Sequence, residues 1–196
     1  MMLSLHFTQA LVYAAELHAD QVRKGSKVPY ISHLLGVASI ALEYGADEDE
    51  AIAALLHDAI EDQGGETVRG EIRARFGERV TEIVDGCTET DITPKPPWAE
   101  RKKAYIARLA NASPSVRLVS LADKLHNVRS ILKDYRTQGD VLWNIFKGGK
   151  EGTLWYYRSL VTAFHQAGST PMVVELDRLV TELEGLVETD MAPTVG

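Results

Sequence analysis

Apolar residues recur along this chain at helical spacing almost without interruption. Leu11, Ala14, Ala15 and Leu17 or His18 follow the i, i+3, i+4, i+7 template, as do Leu34, Val37, Ala38 and Ala41. Ile52, Leu55, Leu56 and Ile60 repeat it, and Val116, Val119, Leu121, Leu125 and Val128 carry it further on. Strict alternation of apolar and polar residues, the mark of a half-buried strand, is absent. The pattern predicts an all-α protein, a compact helical bundle of about nine or ten helices.

The interruptions fall where turn chemistry puts them. Gln21 to Tyr30 reads as a loop holding Gly25 and Pro29, followed by a helix capped near Ser32. Gly45 ends that helix and Asp47 starts the next. Gly64 and Gly65 end the helix that carries His57 and Asp58. Asp91 to Pro97 is a proline-rich loop, Ser113 and Pro114 open a long helix reaching about Tyr135, and Lys147 to Gly152 is a glycine-rich loop. A last helix, Pro171 to Val187, bears an apolar stripe through Val173, Leu176, Leu179, Val180, Leu183, Leu186 and Val187 that packs on the core or forms a homodimer contact. Residues 189–196 read as a frayed tail. No repeat or linker divides the chain, so 1–196 is expected to be one domain, with helices of 138–188 packed on a catalytic part within 8–135.

Composition narrows the function. Of 196 residues 45% are hydrophobic and 25% charged, an ordinary globular balance. The single cysteine, Cys87, excludes an intramolecular disulfide and an all-thiolate zinc site and fits a reducing compartment. No signal-like or membrane-length apolar run is present, so a cytoplasmic protein is expected. The net charge of −7 argues against nucleic acid as partner. A small polyanionic substrate would need cations gathered locally.

The candidate chemistry centres on His57-Asp58-Ala59-Ile60-Glu61-Asp62, preceded by the apolar run Ala53 to Leu56. On one helix His57 stacks under Glu61 and Asp58 under Asp62, so these ionisable groups can converge. Burying them without a partner is costly, and a cation removes that cost. A bare His-Asp pair is usually a solvated helix end. Two further residues change the weighing: His33, at the start of a helix whose other face is apolar, and Asp123, inside the apolar stretch Leu118 to Leu125. Two imidazoles and two carboxylates suit Mn²⁺ first, then Fe²⁺ or Zn²⁺, and leave places for a water and a phosphate oxygen.

Taken in order, Arg23-Lys24-Gly25, Pro29-Tyr30-Ile31-Ser32-His33, Leu55 to Asp62, Phe76-Gly77, Val84 to Thr88 and Leu121 to Asn127 resemble the HD superfamily of metal-dependent phosphohydrolases. The likeness is closer to the hydrolase domain of RelA/SpoT alarmone enzymes and to stand-alone small alarmone hydrolases. The resemblance implies His33, His57, Asp58 and Asp123 as metal ligands and Glu61 and Asp62 as the groups that orient and deprotonate water. It implies Arg23 and Lys24 at the nucleotide and pyrophosphate, and Asn127, with Arg129 or Ser130, at ribose or phosphate. The implied reaction removes the 3′-pyrophosphate of (p)ppGpp or (p)ppApp. The sequence departs from the bifunctional enzymes at Glu89 and Ser120, where a lysine is usual, and its C-terminal third resembles small bacterial HD proteins instead. Because the chain stops where a synthetase domain would begin, alarmone synthesis is not expected.

Other residues have two readings. Trp155, Tyr156 and Tyr157 suit a purine by stacking, though aromatics at helical spacing commonly fill cores. Lys147 and Lys150 flank glycines in what is more simply a surface turn. His126 is expected beside the ligands rather than among them; His6, His18 and His165 have no nameable partner. Lys95, Arg101, Lys102 and Lys103 read as a solvated face. The alternatives to alarmone hydrolysis are another nucleotide phosphohydrolase, such as a 5′-nucleotidase or an NADPH 2′-phosphatase, and a non-catalytic nucleotide-binding module.

Overall fold

The structure, a computed structural model, describes residues 2–191. Among them are ten α-helices and no strand; the one extended pairing is an isolated bridge between Val22 and Pro29. Helix α1 (Leu5–Leu17) is capped by Ser4, whose hydroxyl accepts from the N–H of His6. The bridge then closes the loop that leads into α2 (Ile31–Glu43), and Asp47 opens α3 (Glu48–Leu56) with a reciprocal capping box to Glu50. Short α4 (Ala59–Gln63) is followed by α5 (Glu66–Phe76) and α6 (Glu78–Cys87). After the proline-rich loop come α7 (Trp98–Leu109), the long α8 (Pro114–Gln138), a 3₁₀ segment (Gly139–Ile145), α9 (Gly149–Ala167) and α10 (Pro171–Met191).

The predicted stripes meet at the centre. Leu34, Val37 and Ala41 of α2, Ile52, Leu55 and Leu56 of α3, and Val119, Leu125 and Val128 of α8 are fully buried in one cluster. Burying a side chain of this kind contributes about 1.5–3 kcal/mol, which fixes α2, α3 and α8 against one another. Those are the three elements that carry the candidate ligands. The stripe of α10 is spent inside the same molecule, with Val173, Leu176, Val180, Leu183 and Val187 buried as α10 lies along α8 and α9.

Four details differ from the sequence reading. The helix expected to run through His57 and Asp58 breaks there: α3 stops at Leu56, His57 is its C-cap, and Asp58 (φ −100°, ψ −2°) starts α4. The imidazole Nδ1 of His57 takes the Ala54 carbonyl, at 2.8 Å, the acceptor that residue 58 would use in a continued helix. The cap of α2 is Tyr30, not Ser32. The glycines at 149 and 152 lie in the first turn of α9 rather than in a loop, because a Cβ at Gly148 or Gly152 would meet the Trp98 ring at 2.6 and 3.2 Å. Helix α10 continues through Met191, so only residues 192–196 of the expected tail lie outside the described residues.

Candidate active site

Helix α2 delivers His33, the α3–α4 junction delivers His57 and Asp58, and α8 delivers Asp123. His33 Nε2 lies 3.2 Å from Asp123 Oδ1 and 3.7 Å from Asp58 Oδ2; His57 Nε2 lies 3.0 Å from Asp58 Oδ2 and 3.6 Å from Asp123 Oδ1. One donor atom from each of His33, His57 and Asp58 falls within 4.8 Å of the others. Four groups from distant stretches of sequence thus converge on one point.

Hydrogen bonding says what that point is for. His57 donates from Nδ1 to the Ala54 carbonyl, and His33 Nδ1 is 2.9 Å from Nδ1 of His126. Each ring therefore turns Nε2 toward the carboxylates, and both Nε2 atoms are buried with no hydrogen-bond partner. The rings are only 1% and 2% exposed. An imidazole nitrogen facing a carboxylate oxygen favours a positive charge between them, a proton or a cation. The donor set, two nitrogens and two carboxylates, fits a divalent cation.

The protein's own charges point the same way. Burial works against the charge on Asp58 and on Asp123; His57 outweighs it at the first and Lys124 at the second, so both carboxyls stay well below the usual carboxylate range. Burial likewise disfavours a charged His57, but Asp58 prevails and its pKa rises well above the ordinary value. His126 is pushed down to about 4 by burial and by His33, so it stays a neutral partner. Its ring occupies the space beside Gly36, where a Cβ would meet it at 2.2 Å.

Second partners hold each carboxylate. The Tyr30 hydroxyl donates to Asp58 Oδ2 at 2.5 Å. Lys124 Nζ sits 2.6 Å from Asp123 Oδ2, and the Asn127 amide donates to Asp123 Oδ1. Arg23 reaches across from the loop before α2 to donate to Asn127 Oδ1 at 2.7 Å, tying the substrate-loop candidate to a ligand-bearing helix.

These groups open onto a cavity of about 750 Å³ lined also by Arg23, Lys24, Glu61, Asp62, Asn127 and Tyr156. Glu61 does not converge on the four ligands. One of its oxygens pairs with Lys95 at 2.8 Å and the other accepts the Glu89 N–H at 3.0 Å. Asp62 accepts from Gln21 at 2.8 Å, and burial, reinforced by Asp58, raises its pKa.

Two expected substrate contacts lie elsewhere. Arg129 stands two residues beyond Asn127, roughly 200° round the helix, and faces Glu175 of α10 at 3.8 Å. Trp155, one step from Tyr156, is turned outside and is 39% exposed, edge-on to Trp98. Conversely, Lys95, Arg101 and Lys102 are not a solvated face. They line the cavity, with Lys102 over the Tyr156 ring at 4.5 Å and its pKa lowered by burial. Glu89, the departure that removes a positive charge, sits between Arg101 and Lys102, the latter 2.9 Å away. Lys147 lines the cavity, while Lys150 is held by Asp140 at 2.6 Å. Tyr30 and Lys124 lie inside the quoted motifs but receive no role from the sequence, since only the folded contact gives them a part.

Comparison with known proteins agrees with this geometry. The HD domain family model matches residues 10–153. A guanosine-3′,5′-bis(diphosphate) 3′-pyrophosphohydrolase of Xenopus tropicalis is 42% identical over 126 residues, covering 63% of this chain and 68% of that protein. An enzyme of the same name from Aquifex aeolicus is 42% identical over 124 residues, covering 63% of this chain but 17% of its own length. Among solved structures, a metazoan ortholog of SpoT described as hydrolysing ppGpp superposes with a TM-score of 0.77 at 27% identity, covering 93% of this chain and 98% of that one. A Listeria monocytogenes EGD-e protein gives 0.68 at 31% identity, covering 77% and 97%.

Proposed function

This chain belongs to the HD domain family, and on that premise we propose that it is a metal-dependent phosphohydrolase that removes the 3′-pyrophosphate of an alarmone nucleotide, (p)ppGpp or (p)ppApp. The observation that carries the reading is the pair of buried, unpartnered Nε2 atoms facing two carboxylates. Those carboxylates, Asp58 and Asp123, line a cavity walled also by Arg23 and Lys24, in a chain whose net charge is −7. Relatives 42% identical to this chain are named for that reaction, which adds support. The whole of 1–196 is read as one hydrolase domain, because α8 and α9 each send residues into the same cavity.

His33, His57, Asp58 and Asp123 would hold the cation, and mixed N/O donors favour Mn²⁺, with Fe²⁺ or Zn²⁺ also accommodated. When bound, it supplies Lewis acidity that acidifies water and draws charge from the phosphoryl group. The chain's residues do the rest. Asp62 stands at the cavity wall as the acceptor for the proton of the attacking water, while Glu61, engaged by Lys95 and the Glu89 N–H, lines the same wall. The new bond joins the water oxygen to the phosphorus next to the ribose, and the bond from that phosphorus to the 3′-oxygen breaks. The 3′-oxygen is protonated as it leaves, giving pyrophosphate and the nucleoside 5′-diphosphate or 5′-triphosphate. Arg23 and Lys24 offset the charge of the phosphates, and Asn127 holds Arg23 in register with Asp123.

The test is incubation of Mn²⁺-loaded protein with ppGpp, ppApp and NADPH, reading released pyrophosphate and orthophosphate separately. Pyrophosphate from either alarmone is expected. Orthophosphate from NADPH with no turnover of a 3′-pyrophosphorylated nucleotide would overturn the reading.

A further inference from the structure

His18 and Gln21 stand between α1 and the Arg23 loop and belong to none of the motifs above. Gln21 is nonetheless gripped at both ends of its amide. Its Nε2 donates to Asp62 Oδ2 at 2.8 Å, while its Oε1 accepts from Gln63 Nε2 at 2.6 Å and lies 2.5 Å from His18 Nδ1. Gln63 Nε2 lies 3.2 Å from His18 Nδ1 as well; a glutamine amide can turn end for end, and with the Gln63 donor on its oxygen the NH₂ end of Gln21 is left for the carboxylate. His18 is itself fixed: it caps α1, is buried, and stacks on Tyr30 with ring centroids 5.3 Å apart at 19°. Tyr30 in turn donates to Asp58. One buried imidazole therefore underlies two arms, one ending on a candidate ligand and the other on a candidate proton acceptor.

We infer that Gln21, locked in orientation by His18 and Gln63, is a positioning residue that holds the Asp62 carboxylate in one pose at the cavity wall. The inference rests on the proposed role of Asp62. Burial lowers the pKa of His18 and so favours its neutral ring. Gln21 itself lines the cavity, so the competing account is direct contact with substrate. The two accounts separate kinetically, because a group acting through Asp62 alters turnover, whereas a binding contact alters KM.

The experiment is a double-mutant cycle in the full chain with Mn²⁺ and ppGpp, with folding monitored by thermal melting. Gln21→Ala is expected to lower kcat by about 10- to 100-fold, the scale of a displaced catalytic group, and to leave KM within about twofold. Gln21→Glu keeps the size and the acceptor oxygen but cannot donate to Asp62 while ionised, and it should lose rate like Gln21→Ala. In an Asp62→Asn background, Gln21→Ala should cost nothing further. Losses that multiply, or a loss confined to KM, overturn the inference. If the unmodified chain turns over neither ppGpp nor ppApp, the functional reading fails and the clamp is tested without activity. The Gln21 side-chain NH₂ signals, identified in a ¹⁵N–¹H spectrum by their loss in Gln21→Glu, should move in both Asp62→Asn and His18→Phe. Signals that stay in place in Asp62→Asn overturn the positioning role.

Discussion

Gly36 shows how much of the site is written in residues with no chemistry of their own. It lies one helical step beyond the first turn of α2, at ordinary helical φ, and the His126 ring fills the place where its Cβ would be. In most helices alanine would be favoured there by about 1 kcal/mol; here it would displace the ring that bonds His33 Nδ1. Loss of such an outer partner typically weakens metal affinity about 10- to 100-fold. We expect Gly36→Ala and His126→Phe both to weaken Mn²⁺ binding on that scale in a competition titration against a chelator; unchanged affinity in both would mean that His126 does not orient His33. The candidate ligands stand out in the sequence because His57 and Asp58 follow one apolar run and Asp123 interrupts another, where a lone charge is costly, and because His33 opens a helix whose other face is apolar. Tyr30, His18 and Gln21 were not, since a hydrogen bond between residues 28 or 41 positions apart leaves no periodic trace. Arg129 fails as a substrate contact for a plain geometric reason: proximity to Asn127 in sequence is not proximity on a helix surface. Accordingly, Arg23→Ala should raise the KM for ppGpp by about tenfold or more, from the roughly 1.5–3 kcal/mol of a charged hydrogen bond, whereas Arg129→Ala should leave it unchanged.

At the level of elements, the sequence marked out helices wherever caps and periodicity agreed. The clearest start is that of α3, where Asp47 accepts from the Glu50 N–H at 3.0 Å and Glu50 returns the bond to the Asp47 N–H at 2.8 Å. Arg79 of α6 closes on the same carboxylate at 2.6 Å. Asp47→Ala should cost about 1–2 kcal/mol in denaturant unfolding and act on the site indirectly, since α3 ends in His57. The Arg79 guanidinium holds the Asp47 carboxyl below the usual carboxylate range. The resulting stabilisation is therefore complete above the unfolded value near pH 4 and fades as pH falls through the lower folded value. Asp47→Asn should flatten the acid limb of the stability curve below about pH 4 and leave the difference between pH 6 and 8 unchanged. The difference between the two proteins should be present at neutral pH and vanish in acid, and a difference confined to acid pH would contradict this sign. What the pattern did not reveal was the α3–α4 break. His57 and Asp58 satisfy helical periodicity as letters, yet both side chains turn into one pocket only because the chain bends between them.

For the whole molecule, α2, α3 and α8 are held together by a dry apolar cluster at one level and by two imidazoles and two carboxylates at the other. The first level stabilises in every condition. The second is self-repelling unless a positive charge occupies it, because burial opposes the charge on both Asp58 and Asp123. A cation held there by residues 33, 57, 58 and 123 would be bonded only when all three helices are docked, so it would bind the folded chain in strong preference to the unfolded one. Linkage then requires a gain of RT ln(1 + [M]/Kd), about 2.7 kcal/mol at a hundredfold excess over Kd. For a chain of this size that corresponds to roughly 5–10 °C in melting temperature. We expect Mn²⁺ added to chelator-treated protein to raise the melting temperature by that amount, with the increment growing with the logarithm of metal concentration. Asp123→Asn should abolish the increment and need not lower the melting temperature of the metal-free chain, since it removes a charge whose burial is itself unfavourable. A metal increment that survives in Asp123→Asn would place the cation elsewhere, and with it the chemistry assigned to this cavity.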